Sequence, residues 1–259
     1  MVENLIKFNN RILQIIHQEG YKSLFKYGLS SLNELFLIFY TKFKIKKLFK
    51  NYTINSLVDF TFSLNKSFIK PLQNRFEILK LLSILKKEKL KILLEIGTAN
   101  GGNLFLFSKI ADKNAIIVSI DLPQGPYGGG YSKIKIPLFK SYTVLNQKLF
   151  LIRADSHKKS TQMRLNNILR KNQLDFLFID GDHTYEGVKK DFEMYSPFVK
   201  ENGIIAFHDI VIHNPKSNTH VNEFWNEIKN DYPFQELIYD EKQKAKGIGV
   251  LRFKKFNIS

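Results

Sequence analysis

The 259-residue chain has no cysteine. That excludes disulfides, thiolate nucleophiles and cysteine-ligated zinc, and it agrees with a reducing compartment. Long apolar runs are missing as well. No N-terminal stretch reads as a signal-peptide core beside a small-residue cleavage site, and nothing approaches the roughly 18 apolar residues of a membrane span. The expectation is a cytoplasmic protein. Repeats and low-complexity linkers are absent. Acidic residues are few beside basic ones, 24 against 40, which gives a formal net charge of +16. The imbalance is concentrated early, since residues 1–90 hold 16 Lys/Arg against 6 Asp/Glu. Such an excess attracts nucleic acid, anionic lipid or acidic substrates, and it also arises from lysine-rich composition alone.

With 44% apolar residues the chain can bury one full α/β core and keep an appendage. The expected division is a basic helical extension over residues 1–70 and a catalytic domain over 71–259. In the extension, Leu5, Phe8, Ile12, Ile15 and Ile16 have helical spacing, and Gly20, Gly28, Ser30 and Ser31 read as breaks between two or three helices. Leu35 to Tyr40 is an apolar, aromatic run leading into lysine-rich TKFKIKKLFK. It fits an interfacial helix that makes the protein peripheral to an anionic membrane through residues 1–50, or a helix packed on the domain or on a second copy.

From Lys91 the pattern changes to short apolar runs of the kind that are buried on both faces of a parallel sheet. The candidate strands are 91–97, 115–121, 149–155, 174–180 and 203–209, and four of the five end in aspartate. Packing explains such carboxylates poorly, whereas ligands of open α/β sheets bind at that edge. Two last runs, 234–240 and 247–253, are too close together for a crossover helix and should pair as an antiparallel hairpin. The fold class is thus α/β, a mostly parallel seven-stranded sheet closed by a C-terminal hairpin.

The first strand enters the turn Glu95-Ile96-Gly97-Thr98-Ala99-Asn100-Gly101-Gly102, followed by Asn103 and an amphipathic helix. Ala99 occupies the middle position where a dinucleotide fingerprint needs glycine against a pyrophosphate. Asp121 ends the next strand, where a carboxylate can accept from both hydroxyls of a ribose, and Asp155-Ser156 ends the third. Each aspartate taken singly could instead cap a helix or a turn.

Glu95-x-Gly97-x-x-x-Gly101 resembles the first motif of class I, Rossmann-like S-adenosylmethionine-dependent methyltransferases. The segment 174–210, LDFLFIDGDHTYEGVKKDFEMYSPFVKENGIIAFHDI, is similar to the group that includes macrocin-type sugar O-methyltransferases and cephalosporin hydroxylase-like proteins. The resemblance covers roughly residues 91–253. It implies that S-adenosyl-L-methionine is held by Glu95, Gly97, Thr98, Gly101, Asn103, Asp121, Asp155 and Ser156. It also implies a divalent cation on Asp180, His208 and Asp209, with magnesium expected and manganese or iron(II) as alternatives.

Neighbouring parallel strands stand about 4.8 Å apart, so side chains leaving their ends can meet on one ion. A cation lowers the pKa of a neutral hydroxyl, a poor nucleophile, and fixes its direction. His183 is the expected proton acceptor, with Asp182 orienting it or joining the metal. The GDH turn could equally cap the helix carrying Tyr185, Val188, Phe192 and Tyr195. The glycine-rich stretch 123–133 reads as a lid whose Tyr127 and Tyr131 border the acceptor pocket, and Trp225 reads as core.

The expected reaction is O-methylation of a hydroxylated small molecule such as a sugar. RNA methylation is the enzyme alternative, weakened by the lack of an Asn/Asp-Pro-Pro-Tyr/Phe motif after the fourth strand. A catalytically silent cofactor-fold module that docks on a membrane or partner is the third reading.

Overall fold

A computed structural model describes residues 21–48, 51–64, 68–126, 130–214 and 216–254. The chain divides into two compact units between Leu48 and Phe49. The first contains helix α1 (Tyr21–Lys46). One helix runs through Gly28, Ser30 and Ser31, where the sequence suggests breaks. An interior glycine costs only about 1 kcal/mol against alanine, which a 26-residue helix absorbs. The helical spacing at Leu5 to Ile16 and the break at Gly20 fall outside the described residues.

The larger unit begins with α2 (Ile54–Ser63), whose N-cap Thr53 and Ser56 cap each other's backbone reciprocally. Next comes α3 (Arg75–Leu85), where Asn74 accepts from the Phe76 N–H. Helix α2 packs on α3, so residues 54–63 belong structurally to the larger unit. The remaining order is β1 (Ile92–Ile96), α4 (Gly102–Ile110), β2 (Ile116–Asp121), α5 (Ile136–Lys140), β3 (Lys148–Arg153), α6 (Lys159–Leu169), β4 (Leu174–Ile179), α7 (Tyr185–Tyr195), β5 (Val199–His208), α8 (Val221–Ile228), β6 (Phe234–Leu237) and β7 (Ile248–Arg252).

These strands form one sheet of order β3-β2-β1-β4-β5-β7-β6. The first five are parallel, and β7 runs antiparallel between β5 and β6. This is the Rossmann-like methyltransferase arrangement. The continuous apolar runs are the strands buried on both faces: in β1 and β4 almost every residue is buried. On one face Phe107 of α4 sits edge-on to Phe176 and Phe178 at 5.2 and 5.4 Å between ring centres. On the other, fully buried Trp225 lies 5.7 Å from Phe207 and donates its indole N–H to Glu236 at 2.6 Å. Trp225 is core, as expected. Gly249 makes room for it, because a Cβ there would stand 2.6 Å from the indole.

The chain steps outward from β1 to β3 and then returns to place β4 on the other side of β1. That reversal opens a crevice at the carboxyl ends of β1 and β4, the position where open α/β sheets bind ligands.

Candidate active site

The turn after β1 is shaped by backbone conformations that few side chains tolerate. Gly97 and Gly101 have φ of +93° and +85°, and Ala99 between them has +46°. At Gly97 the requirement is doubled, since a Cβ would lie 1.9 Å from the carbonyl oxygen of Asp180 at the end of β4. The turn and the β4 terminus therefore touch backbone to backbone. Asp121 closes the turn from β2, its carboxylate accepting the Ala99 N–H at 2.9 Å. Burial pushes the Asp121 pKa up to about 6, against the opposing pull of the Ala99, Leu122 and Thr98 amides.

Glu95 lies completely buried beneath the turn. One of its oxygens accepts from Ser119 Oγ at 3.0 Å and the other has no hydrogen-bond partner. Burial raises its pKa well above the ordinary carboxylate value, the Ser119 bond opposes this, and the charges of Asp121 and Asp180 add to it. Thr98 hydrogen-bonds the same Ser119 hydroxyl. Asn103, also buried, keeps an unpartnered side-chain oxygen. Orphaned buried oxygens at one turn fit a ligand that brings N–H and O–H donors.

A cleft of about 490 Å³ opens beside this turn. Gly97, Asp121, Asp155, Ser156 and Asp182 line it together with Gly125 and Gly130 of the glycine-rich loop. Four of the residues expected at the cofactor thus share one cleft. Glu95, Thr98, Gly101 and Asn103 lie outside its lining; Thr98 and Asn103 instead line a second cleft of about 250 Å³, on the Asp180 side of the turn. Tyr131 of the loop is 2% exposed and packs edge-on against Phe139 at 4.9 Å. It is a core residue rather than a border of an acceptor pocket, and Tyr127 lies outside the described residues.

At the β4 and β5 ends, Asp180 Oδ1 stands 3.0 Å from His208 Nδ1 and 3.6 Å from His183 Nε2. Asp209 Oδ2 stands 3.1 Å from His183 Nδ1 and 3.4 Å from His208 Nδ1. Asp209 itself has φ of +65°, a left-handed conformation that aspartate tolerates better than most residues. One ligand atom each from Asp180, His183 and Asp209 can gather within 4.8 Å of one another, which suits a metal ion. The set differs from the one expected in sequence, with His183 in the place of His208. His208 is buried and bridges the two carboxylates through Nδ1 while its Nε2 has no partner. Burial alone would lower its pKa; the Asp180 and Asp209 carboxylates overcome this and push it up to about 10. One buried and one partly buried carboxylate side by side call for positive charge, here an imidazolium, and this donor set fits a divalent cation.

Asp182 has a structural task. Its Oδ1 accepts from the Thr184 N–H and hydroxyl at 2.9 and 2.8 Å, and Thr184 caps α7 by accepting from Gly187 N–H. Asp182 therefore shapes the turn that delivers His183, as the capping alternative has it.

Three contacts escaped sequence reasoning. Gln73, from the segment before α3, donates Nε2 to Asp180 Oδ2 at 2.7 Å. His213 brings Nε2 within 3.1 Å of Asp209 Oδ1. His157, on the rim of the larger cleft, pairs with fully buried Asp191 at 3.3 Å, and that bond raises its pKa against the effect of burial.

Residues 94–210 match a family model described as "Methyltransferase domain". Over that stretch the chain is similar to methyltransferase domains. A Bacillus cereus O-methyltransferase solved in complex with SAH shares the domain's fold, at 14% identity and a TM-score of 0.52, over 82% of this chain and 96% of that one. Among curated proteins, an uncharacterized protein of Acanthamoeba polyphaga mimivirus is 50% identical over 38 residues, 15% of this chain. An uncharacterized protein of Sinorhizobium fredii is 23% identical over 170 residues, 61% of this chain. The matched stretches span only 17% and 18% of those two relatives' own lengths.

Proposed function

We propose that the domain transfers the methyl group of S-adenosylmethionine to a hydroxyl of a small molecule with the help of a divalent cation. One observation carries the reading: a cleft bounded by Gly97, Asp121, Asp155 and Ser156 opens at the same sheet edge where Asp180, His183 and Asp209 converge. In this reading Asp121 accepts from the ribose hydroxyls, Asp155 and Ser156 face the adenine, and the buried oxygens of Glu95 and Asn103 meet the amino-acid end. Gly97, Thr98 and Gly101 supply the close backbone approach.

Transfer breaks the S–CH3 bond as the O–CH3 bond forms, leaving S-adenosylhomocysteine and a proton from the acceptor. Asp180, His183 and Asp209 would hold the cation, and His208 keeps both carboxylates in register through Nδ1. Bound there, the ion supplies a Lewis acid that lowers the acceptor hydroxyl's pKa. A second reading is favoured by the 3.1 Å contact of His183 Nδ1 with Asp209. Without an ion, Asp209 orients the imidazole and His183 Nε2 takes the acceptor's proton.

Elemental analysis after incubation with S-adenosylmethionine and millimolar magnesium or manganese tests the assignment. About one ion per chain is expected, lost in Asp180→Asn and in Asp209→Asn. Protein free of divalent ions under those conditions would contradict the metal reading and leave the His183–Asp209 pair as the proton acceptor.

We also propose that α1 rests on an anionic membrane surface. Leu32, Phe36, Phe39 and Phe43 fall on one helical stripe and are 64%, 66%, 70% and 53% exposed. Lys47 lies over the Phe43 ring at 4.3 Å, and Lys42, Lys44 and Lys46 share the same end of the helix. Aromatic side chains beside lysines suit the boundary between lipid headgroups and acyl chains. Among the described residues no helix is long and apolar enough to cross a membrane.

A further inference from the structure

A third cleft, about 1,080 Å³ and open to solvent, lies on the α3 side of the glycine turn. Its lining includes Lys70, Arg75 and Lys246 but no acidic side chain among the described residues. Arg75 is paired with Asp59 and Asn55, and Lys70 too has an interaction within the protein, so the mouth acts through its summed charge. Lys70 and Lys246 come from distant parts of the chain, the segment before α3 and the loop before β7. Pro71, Leu72, Gln73 and Asn100 complete the shared wall with the smaller cleft of about 250 Å³ that runs inward to Gly97, Asn103 and Asp180. A cationic mouth therefore leads to Asp180, one of the residues proposed to act on the acceptor, beside the Gly97 and Asn103 proposed to meet the cofactor.

Gln73 stands at the junction. It is 2% exposed, it lines both clefts, and its Nε2 is spent on Asp180. Its Oε1 is buried with no hydrogen-bond partner. An amide fixed at one end, with an unsatisfied acceptor at the other, is arranged to receive a donor that the protein does not supply. A hydroxyl arriving beside Asp180 is such a donor. Fixed positive charge at the mouth concentrates anions there and repels cations.

We propose that this groove admits the methyl acceptor and that the acceptor is an anionic alcohol. Its hydroxyl donates to Gln73 Oε1, and its carboxylate or phosphate is taken by Lys70 and Lys246. The inference rests on the methyl-transfer reading for the use of the groove, and on the groove alone for its preference for anions.

The test uses the full chain and matched probes: glucose against glucuronate, and glycerol against glycerate and glycerol 3-phosphate. Binding is followed by ligand-observed NMR with and without S-adenosylhomocysteine. The anionic members are expected to bind and the neutral ones not, with glucuronate and glycerate against glycerol 3-phosphate separating carboxylate from phosphate. Lys246→Glu and Lys70→Glu should each weaken anion binding by about tenfold or more while leaving S-adenosylhomocysteine affinity unchanged. Raising the salt concentration on the unmodified protein should do the same without any substitution. Equal binding of neutral and anionic members, anion binding that survives both substitutions, or no anion binding at all overturns the proposal. Anion binding that responds to the lysines in a protein that does not bind S-adenosylhomocysteine upholds the groove and strikes the methyl-transfer reading instead.

Discussion

Gly97 and Asp180 meet backbone against backbone, so closely that a Cβ on residue 97 would stand 1.9 Å from the Asp180 carbonyl oxygen. Because backbone cannot swing aside, Gly97→Ala has to displace either the turn after β1 or the end of β4. The positive φ of 93° adds a further penalty for any side chain. The two effects together should cost on the order of 3 kcal/mol or more. Thermal melts should show that loss for Gly97→Ala. Gly125→Ala, in the same cleft with its nearest neighbours at 3.3 Å and no positive φ, should cost far less.

Asp121 trades stability for its place in the cleft. Its pKa rises on folding from 3.8 to about 6, chiefly through burial. At pH below the unfolded value the carboxyl is protonated in both states and contributes no difference. Between about pH 4 and pH 6 the unfolded chain ionises while the folded carboxyl stays protonated, and stability falls by on the order of 2–3 kcal/mol, a loss complete above about pH 6. Asp121→Asn should therefore melt higher than wild type at about pH 8, with the gap closing towards about pH 4. A gap that widens as the pH falls would contradict this environment for Asp121.

The stripe on α1 predicts sedimentation of the full chain with acidic vesicles at low salt, and release as the salt rises. Phe36→Ser with Phe39→Ser should leave the protein in the supernatant. Concentration-dependent self-association lost in the same double variant, with no vesicle binding, would instead make the stripe a contact between copies.

The sequence made the sheet legible because strands buried on both faces write themselves as unbroken apolar runs, and β1 to β5 lie where those runs stand. Asp121, Asp155, Asp180 and Asp209 were legible because carboxylates at strand ends have no packing explanation. Gln73 was not: its bond to Asp180 spans 107 residues, and a lone glutamine before a helix carries no pattern. The sequence puts His183 and His208 at neighbouring strand ends as proton acceptor and metal ligand, but spacing alone does not reveal that His183 gathers with Asp180 and Asp209 while His208 Nδ1 bridges the two carboxylates. Tyr131 looked like part of a lid since glycines surround it, yet Phe139, from a helix too short to stand out, draws it into the core.

Titration calorimetry of the full chain with S-adenosylmethionine, in the presence of a chelator, tests the central claim most directly. Saturable binding of one molecule per chain is expected, because Asp121 and the glycine turn lie outside the proposed metal donors. Asp121→Ala should weaken it by about tenfold or more, the loss of a charge-assisted hydrogen bond worth on the order of 1.5–3 kcal/mol. Absence of binding by the folded wild type, or an affinity that Asp121→Ala leaves unchanged, would contradict the cofactor assignment.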